Sequence, residues 1–217
     1  VGTGVTSKVA ALFVDPKGVY SGLEDVEVWD EARDARSYEG PWPAAAHPPC
    51  NRWSILAALN QRHGYEIGAD EGCFASALAS VRRWGGVLEH PANSFAWARF
   101  GLPVPVRFGW AGSLTDQGLT TEVDQGVYGH PCRKRTWLYY VGPNPIELDW
   151  REATDATQIV SDLGPGGSRR RGADWKPGVQ YGAASATPEA FARMLVTLAR
   201  TATVATADHV ATLGNRA

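Results

Sequence analysis

Three short stretches of this sequence each pair a proline with a group able to do chemistry: His47-Pro48-Pro49-Cys50, Glu89-His90-Pro91 and His130-Pro131-Cys132. A cysteine thiolate is a strong nucleophile and a good leaving group, a carboxyl group moves protons, and an imidazole does the same near neutral pH. The same residues, His47, Cys50, His90, His130 and Cys132, are also the imidazoles and thiols of a tetrahedral zinc site. Each stretch follows an apolar run that reads as a strand. In α/β proteins the loops beyond the carboxyl ends of strands hold the chemistry. The three turns are therefore expected to form one site at one edge of one sheet.

The elements that must position them follow from local pattern. Ala10–Val14 is a buried strand ending in the Asp15-Pro16-Lys17-Gly18 turn. Val26–Trp29 is a second strand. Pro43–His47 is a third, stopped by the two prolines. Phe74, Ala77, Leu78, Val81 and Trp84 recur at helical spacing, which predicts a helix over Cys73–Trp84, ended by Gly85-Gly86. Val87-Leu88 then leads as a strand into Glu89, a helix–turn–strand unit of the kind that builds parallel sheets. Ser94–Phe100 reads as a short helix, and Thr120–Val127 and Thr136–Val141 as strands around the third turn. The Thr187-Pro188-Glu189 start predicts a final helix to about Ala202. Three segments result: a catalytic α/β core over 1–142, a basic loop-rich insertion over 143–186, and a C-terminal helix with a tail over 187–217.

Taken in order, Pro48-Pro49-Cys50, then Leu88-Glu89-His90-Pro91, then Tyr128-Gly129-His130-Pro131-Cys132-Arg133-Lys134-Arg135 leading into a strand that ends in Val141-Gly142, resemble the DNA cytosine-5 methyltransferases. The match covers residues 44–142 and is that of a short member of phage or bacterial type. The resemblance implies a single Rossmann-like, mostly parallel sheet of methyltransferase type. It implies Cys50 as the nucleophile that adds to carbon 6 of a flipped cytosine and makes carbon 5 nucleophilic. Glu89 would meet ring N3 and the exocyclic amine. Arg133 and Arg135 would clamp the nucleotide, with Arg52, Lys134, Arg169, Arg170 and Arg171 on the DNA backbone.

The resemblance further implies S-adenosylmethionine as methyl donor, with Pro49 beside it. The family's Gly-rich turn after the first strand has no counterpart in Phe13-Val14-Asp15-Pro16. Only 38 positions separate Leu12 from Cys50, room for about one βαβ unit of roughly 30 residues rather than two. Leu12–Asp15 is therefore expected to stand for the family's second strand, with Asp15 on the cofactor ribose and Asp34 at its adenine amine. The shortened first half equally admits another one-carbon donor, such as a folate or an aldehyde, which would make the reaction a hydroxymethylation. Two further readings are a zinc-dependent base deaminase and a DNA-binding relic without activity. The deaminase signature of His-x-Glu with Pro-Cys-x-x-Cys is absent.

Composition bounds these readings. With 217 residues, 44% hydrophobic and 20% charged, the chain can bury a sizeable core and is not disordered throughout. Its net charge of −2 excludes a generically cationic nucleic-acid binder, but the basic residues cluster at 133–135 and 169–171. Residues 1–100 carry 9 basic against 12 acidic side chains, and residues 101–217 carry 12 against 11. Three scattered cysteines do not make a disulfide framework, and no apolar run reaches the roughly 18 residues of a membrane span. A cytoplasmic protein is expected.

Overall fold

The computed structural model describes residues 8–59, 61, 64–158 and 183–202. Eight strands form one mixed sheet: β1 (Val9–Leu12), β2 (Val26–Trp29), β3 (Ala44–Ala46), β4 (Gly86–Pro91), β5 (Val106–Arg107), β6 (Ala111–Ser113), β7 (Asp116–Asp124) and β8 (Arg135–Val141). The order is β2-β1-β3-β4-β8-β7-β5, with β6 also on β7. β2, β1, β3 and β4 run parallel to their neighbours, whereas β8 is antiparallel to β4 and β7 antiparallel to β8. The fold is thus α/β with a parallel half and a largely antiparallel half.

Among the described residues four α-helices accompany it: α1 (Ile55–Leu59), α2 (Cys73–Trp84), α3 (Phe95–Arg99) and α4 (Glu189–Thr201). The apolar stripe of α2, with Phe74, Ala77, Leu78 and Val81, packs on one face of the sheet with Ala10, Leu12, Ala44, Ala46, Leu88 and Tyr139. α4 covers the other face, setting Phe191, Leu195 and Leu198 against Val9, Ala11, Ala45, Val87, Leu138 and Tyr140. The central strand β3 is three alanines, so it offers only methyl groups to both helices. Beside it Gly86 has φ +114°, and a Cβ there would stand 2.0 Å from the Ala44 carbonyl oxygen. Only glycine lets β4 approach β3 this closely.

The expected strands and helices form, though β1 stops at Leu12 and β7 at Asp124, and α1, β5 and β6 stand where no element was expected. Gln125–Tyr128 is a 3-10 turn rather than strand, because the Asp124 carboxylate accepts from the Gly126 N–H and caps it. β1 lies directly against β3, with β2 outside it, so the reversal of strand order falls between β1 and β3.

The insertion expected at 143–186 is irregular over its described residues, 143–158 and 183–186, apart from a bridge between Cys132 and Gln158 and a turn at 183–185. Arg169, Arg170 and Arg171 lie outside the described residues. Among the described residues no helix is long and apolar enough to cross a membrane.

Candidate functional site

The three proline turns meet at one edge of the sheet, as expected. β3 and β4 are parallel with Ala46 opposite Leu88, so the Cys50 turn and the Glu89 end of β4 emerge side by side. β8 is antiparallel to β4, with Thr136 opposite Pro91 and the Ala92 N–H donating to the Arg135 carbonyl at 3.0 Å, which brings the 130–135 turn to the same edge. The Phe95 N–H donates to the Trp53 carbonyl at 2.9 Å and ties the nucleophile turn to the segment after β4. Trp53 is itself anchored by donating from Nε1 to Asp70 at 2.7 Å.

Cys50 is partly exposed at the head of this edge. Burial raises its pKa, the charge of Glu89 raises it further, and the charge of Lys134 pulls it down; the net shift is upward. Glu89 is 12% exposed and accepts two N–H donors, His47 Nδ1 to Oε2 at 3.0 Å and Gln125 Nε2 to Oε1 at 3.1 Å. Burial pushes the carboxyl up, but the hydrogen bond and charge of His47, with the charges of Lys134 and His90, outweigh it and hold the group below the usual range. The charge of Lys134 thus acts on both Cys50 and Glu89, while its Nζ donates to the Ala186 carbonyl at 3.4 Å.

The other predicted residues divide. Arg135 shares its face of the sheet with Trp137 and Glu122, where it donates to the Glu122 carboxylate at 2.8 and 2.6 Å. Arg133 pairs with Asp124 at 3.3 Å and with Glu152 at 2.7 Å. With Arg107, Ala92 and Asn93 these two arginines line an open cleft of about 430 Å³. Glu89 and Trp137 stand on opposite faces of the sheet, since Trp137 is level with His90, so this cleft and the Cys50–Glu89 pair lie on different sides of the shared edge. Arg52 stacks over the Tyr65 ring at 4.3 Å.

The residues expected to hold S-adenosylmethionine do not fit it. Asp15 lies in the turn after β1, where its carboxylate accepts from the Lys17 N–H at 2.8 Å. Asp34 caps its own turn and is ion-paired with Arg36 at 2.7 Å. At the switch point Tyr20, 3% exposed, reaches from the β1–β2 connection to His47 beyond β3 and fills the space between the two strand ends. Gly18, the glycine of the β1 turn, donates its N–H to the Asp15 carbonyl at 2.9 Å and so closes the turn on itself. Pro49 presents its carbonyl to the His90 ring instead.

A zinc site does not assemble either: among the described residues no three His, Cys, Asp or Glu side chains are grouped to hold a metal. His47 is engaged by Tyr20 and Glu89. His90 bonds Ser94 through Nδ1 at 2.7 Å on the α2 face, and His130 Nδ1 accepts from the Cys132 N–H at 3.0 Å. The sequence reading had no signal for Tyr20, Gln125 or Arg107, which read as ordinary polar or aromatic positions. No protein-family model, curated protein or solved structure matches this chain.

Proposed function

We propose that the protein is an enzyme of Rossmann-like, methyltransferase type that modifies carbon 5 of a pyrimidine in DNA through a covalent Cys50 adduct at carbon 6. The observation that carries this reading is the emergence of the Cys50 turn and Glu89 side by side from parallel β3 and β4, with the 130–135 turn at the same edge. Thiolate addition breaks the ring's aromaticity and leaves carbon 5 nucleophilic, while Glu89 meets N3 and the amine as charge develops there. The donor in this reading is a one-carbon electrophile other than S-adenosylmethionine, because the β1 turn does not suit that cofactor. Arg133, Arg135 and the newly found Arg107 face the phosphates across the second cleft, exchanging acidic partners for the nucleic acid. A reducing cytoplasm preserves the thiol.

Addition, protonation at carbon 5 and elimination require only water, so the test needs no donor. In heavy water the wild-type protein exchanges the carbon-5 hydrogen of cytosine in a DNA oligonucleotide for deuterium, read by mass spectrometry, and Cys50→Ser abolishes the exchange. Exchange that survives Cys50→Ser, or is absent from folded wild-type protein, refutes the reading. Faster exchange on RNA or on the free nucleotide moves the substrate away from DNA.

A further inference from the structure

Tyr20, His47 and Glu89 come from three separate places, the turn after β1, the end of β3 and β4, and form one hydrogen-bonded line. His47 Nδ1 lies 3.0 Å from Glu89 Oε2, and His47 Nε2 lies 2.5 Å from the Tyr20 hydroxyl. A carboxylate only accepts, so Nδ1 carries the hydrogen and the neutral ring accepts the Tyr20 O–H at Nε2. Burial, and then the charge of Glu89, push the Tyr20 phenol well above its ordinary pKa, so it keeps its own proton. Its oxygen can nonetheless accept. When His47 takes a second proton, the new Nε2–H donates to Tyr20 with no movement of either side chain. Gln125 completes the arrangement by donating from Nε2 both to Glu89 and to Thr136 Oγ1 at 2.9 Å.

This arrangement sets a problem for the chemistry. As the thiolate adds, ring N3 must gain a proton, yet a carboxylate held by two N–H donors and by the charge of Lys134 is an anion with no proton to give. Resting on the reading above, we propose that His47 is the proton source for Glu89: the extra proton waits on the imidazole, between Glu89 and Tyr20, and passes through the Glu89 carboxyl to N3 during addition. The step balances. Cys50 thiol releases its proton to solvent, the Sγ–C6 bond forms, the C5–C6 π pair moves to C4–C5, and the C4–N3 π pair moves onto N3. N3 takes the proton from Glu89, which takes one from His47 Nδ1. His47 is left neutral, with its remaining hydrogen on Nε2 donated to Tyr20. Elimination reverses each movement. The charged and titratable groups that act on the pair are Tyr20 from the β1–β2 connection, Cys50 beyond β3, Lys134 ahead of β8 and, from the other face of β4, His90. His47 and Tyr20 act through Glu89 and are positioning residues.

Two measurements on the full chain test the relay. In histidine nitrogen NMR, neutral His47 should carry its hydrogen on Nδ1, with that hydrogen bonded to Glu89, and Glu89→Gln should shift the Nδ1 resonance. A neutral ring with the hydrogen on Nε2, or an Nδ1 resonance that Glu89→Gln leaves unmoved, overturns the relay. In the carbon-5 exchange assay the wild-type rate should fall as the pH rises. His47→Gln keeps an N–H toward Glu89 but carries no second proton. Its rate at pH 7 should fall on the order of 100-fold with KM unchanged, and recover as the pH is lowered. Tyr20→Phe should move the alkaline limb to lower pH. An unchanged profile in His47→Gln overturns the relay and leaves the pyrimidine reading standing. Exchange absent from wild type overturns that reading, and the nitrogen spectra alone then decide whether His47 and Glu89 share the proton.

Discussion

The Nδ1 atom of His47 and the Oε2 atom of Glu89 stand 3.0 Å apart across 42 residues of chain. They meet because β3 and β4 are parallel neighbours whose register sets His47 one step beyond the Ala46–Leu88 pair, level with Glu89. The sheet therefore aligns imidazole and carboxylate before any ligand arrives.

The resting thiol should be slow to react. Burial and the Glu89 charge raise the Cys50 pKa, so alkylation by iodoacetamide should be slow at pH 7 and accelerate with rising pH. Glu89→Gln removes the negative charge and should speed alkylation at pH 7 severalfold, whereas Lys134→Met should slow it. Peptide mapping isolates the Cys50 signal from Cys73 and Cys132. An unaltered rate in Glu89→Gln would separate the two residues electrostatically.

Acid should destabilise the fold through His90. Burial depresses this imidazole from 6.5 to about 4. The unfolded chain thus binds a proton more readily than the native one between these values. Stability from the neutral ring is complete above about pH 6.5 and lost as the pH falls toward 4, a change of about 3 kcal/mol. His90→Phe keeps the aromatic contacts with Phe74 and Trp97 and has no titrating group, so its urea-unfolding free energy should be flatter across that window.

Arg135 and Glu122 should be strongly coupled. The Glu122 carboxylate, 7% exposed, accepts from Arg135 and from Trp137 Nε1 at 3.0 Å, with Arg107 at 3.4 Å. Arg135→Met leaves a nearly buried carboxylate with a weaker cation and should cost about 2–4 kcal/mol. Adding Glu122→Leu should restore much of that loss in a double-mutant cycle by urea unfolding. Additive effects would mean the pair is independent.

Gly86→Ala should be among the most damaging single substitutions. Its Cβ would enter the Ala44 backbone at a φ of +114° that L side chains rarely adopt. The strand pairing that aligns Cys50 with Glu89 must open. Loss of several kcal/mol or failure to fold is expected, checked by thermal unfolding, and a stable Gly86→Ala protein would contradict the β3–β4 register.

Local pattern made much of this fold legible. The span Cys73–Trp84 is the α2 helix because its apolar residues repeat at helical spacing, and Val26–Trp29 is β2. Proline turns placed Cys50, Glu89 and the 130–135 segment at one edge because a strand's carboxyl end is set by where it stops. β5 and β6, of two and three residues, are too short to print a periodicity and expose Val106 at the rim. Which strand lies beside which is a matter of long-range packing, and no local pattern sets β1 between β2 and β3. The same dependence hid the partnership of Tyr20 with His47, since it exists only once β1 and β3 are neighbours.

The three alanines of β3 carry a consequence for how this protein can change. On the strand that leads to the nucleophile, neither face holds side-chain volume that could be deleted to make room for a bulkier substrate. Enlargement there is resisted from both sides, because a longer side chain at Ala44 or Ala46 meets α2 and one at Ala45 meets α4. Such overfilling typically costs about 1–3 kcal/mol. Substrate range must therefore drift through the turns that hang from the sheet edge, and a mutational library for altered selectivity is best spent on residues 48–53 and 92–95, leaving the strand behind them untouched.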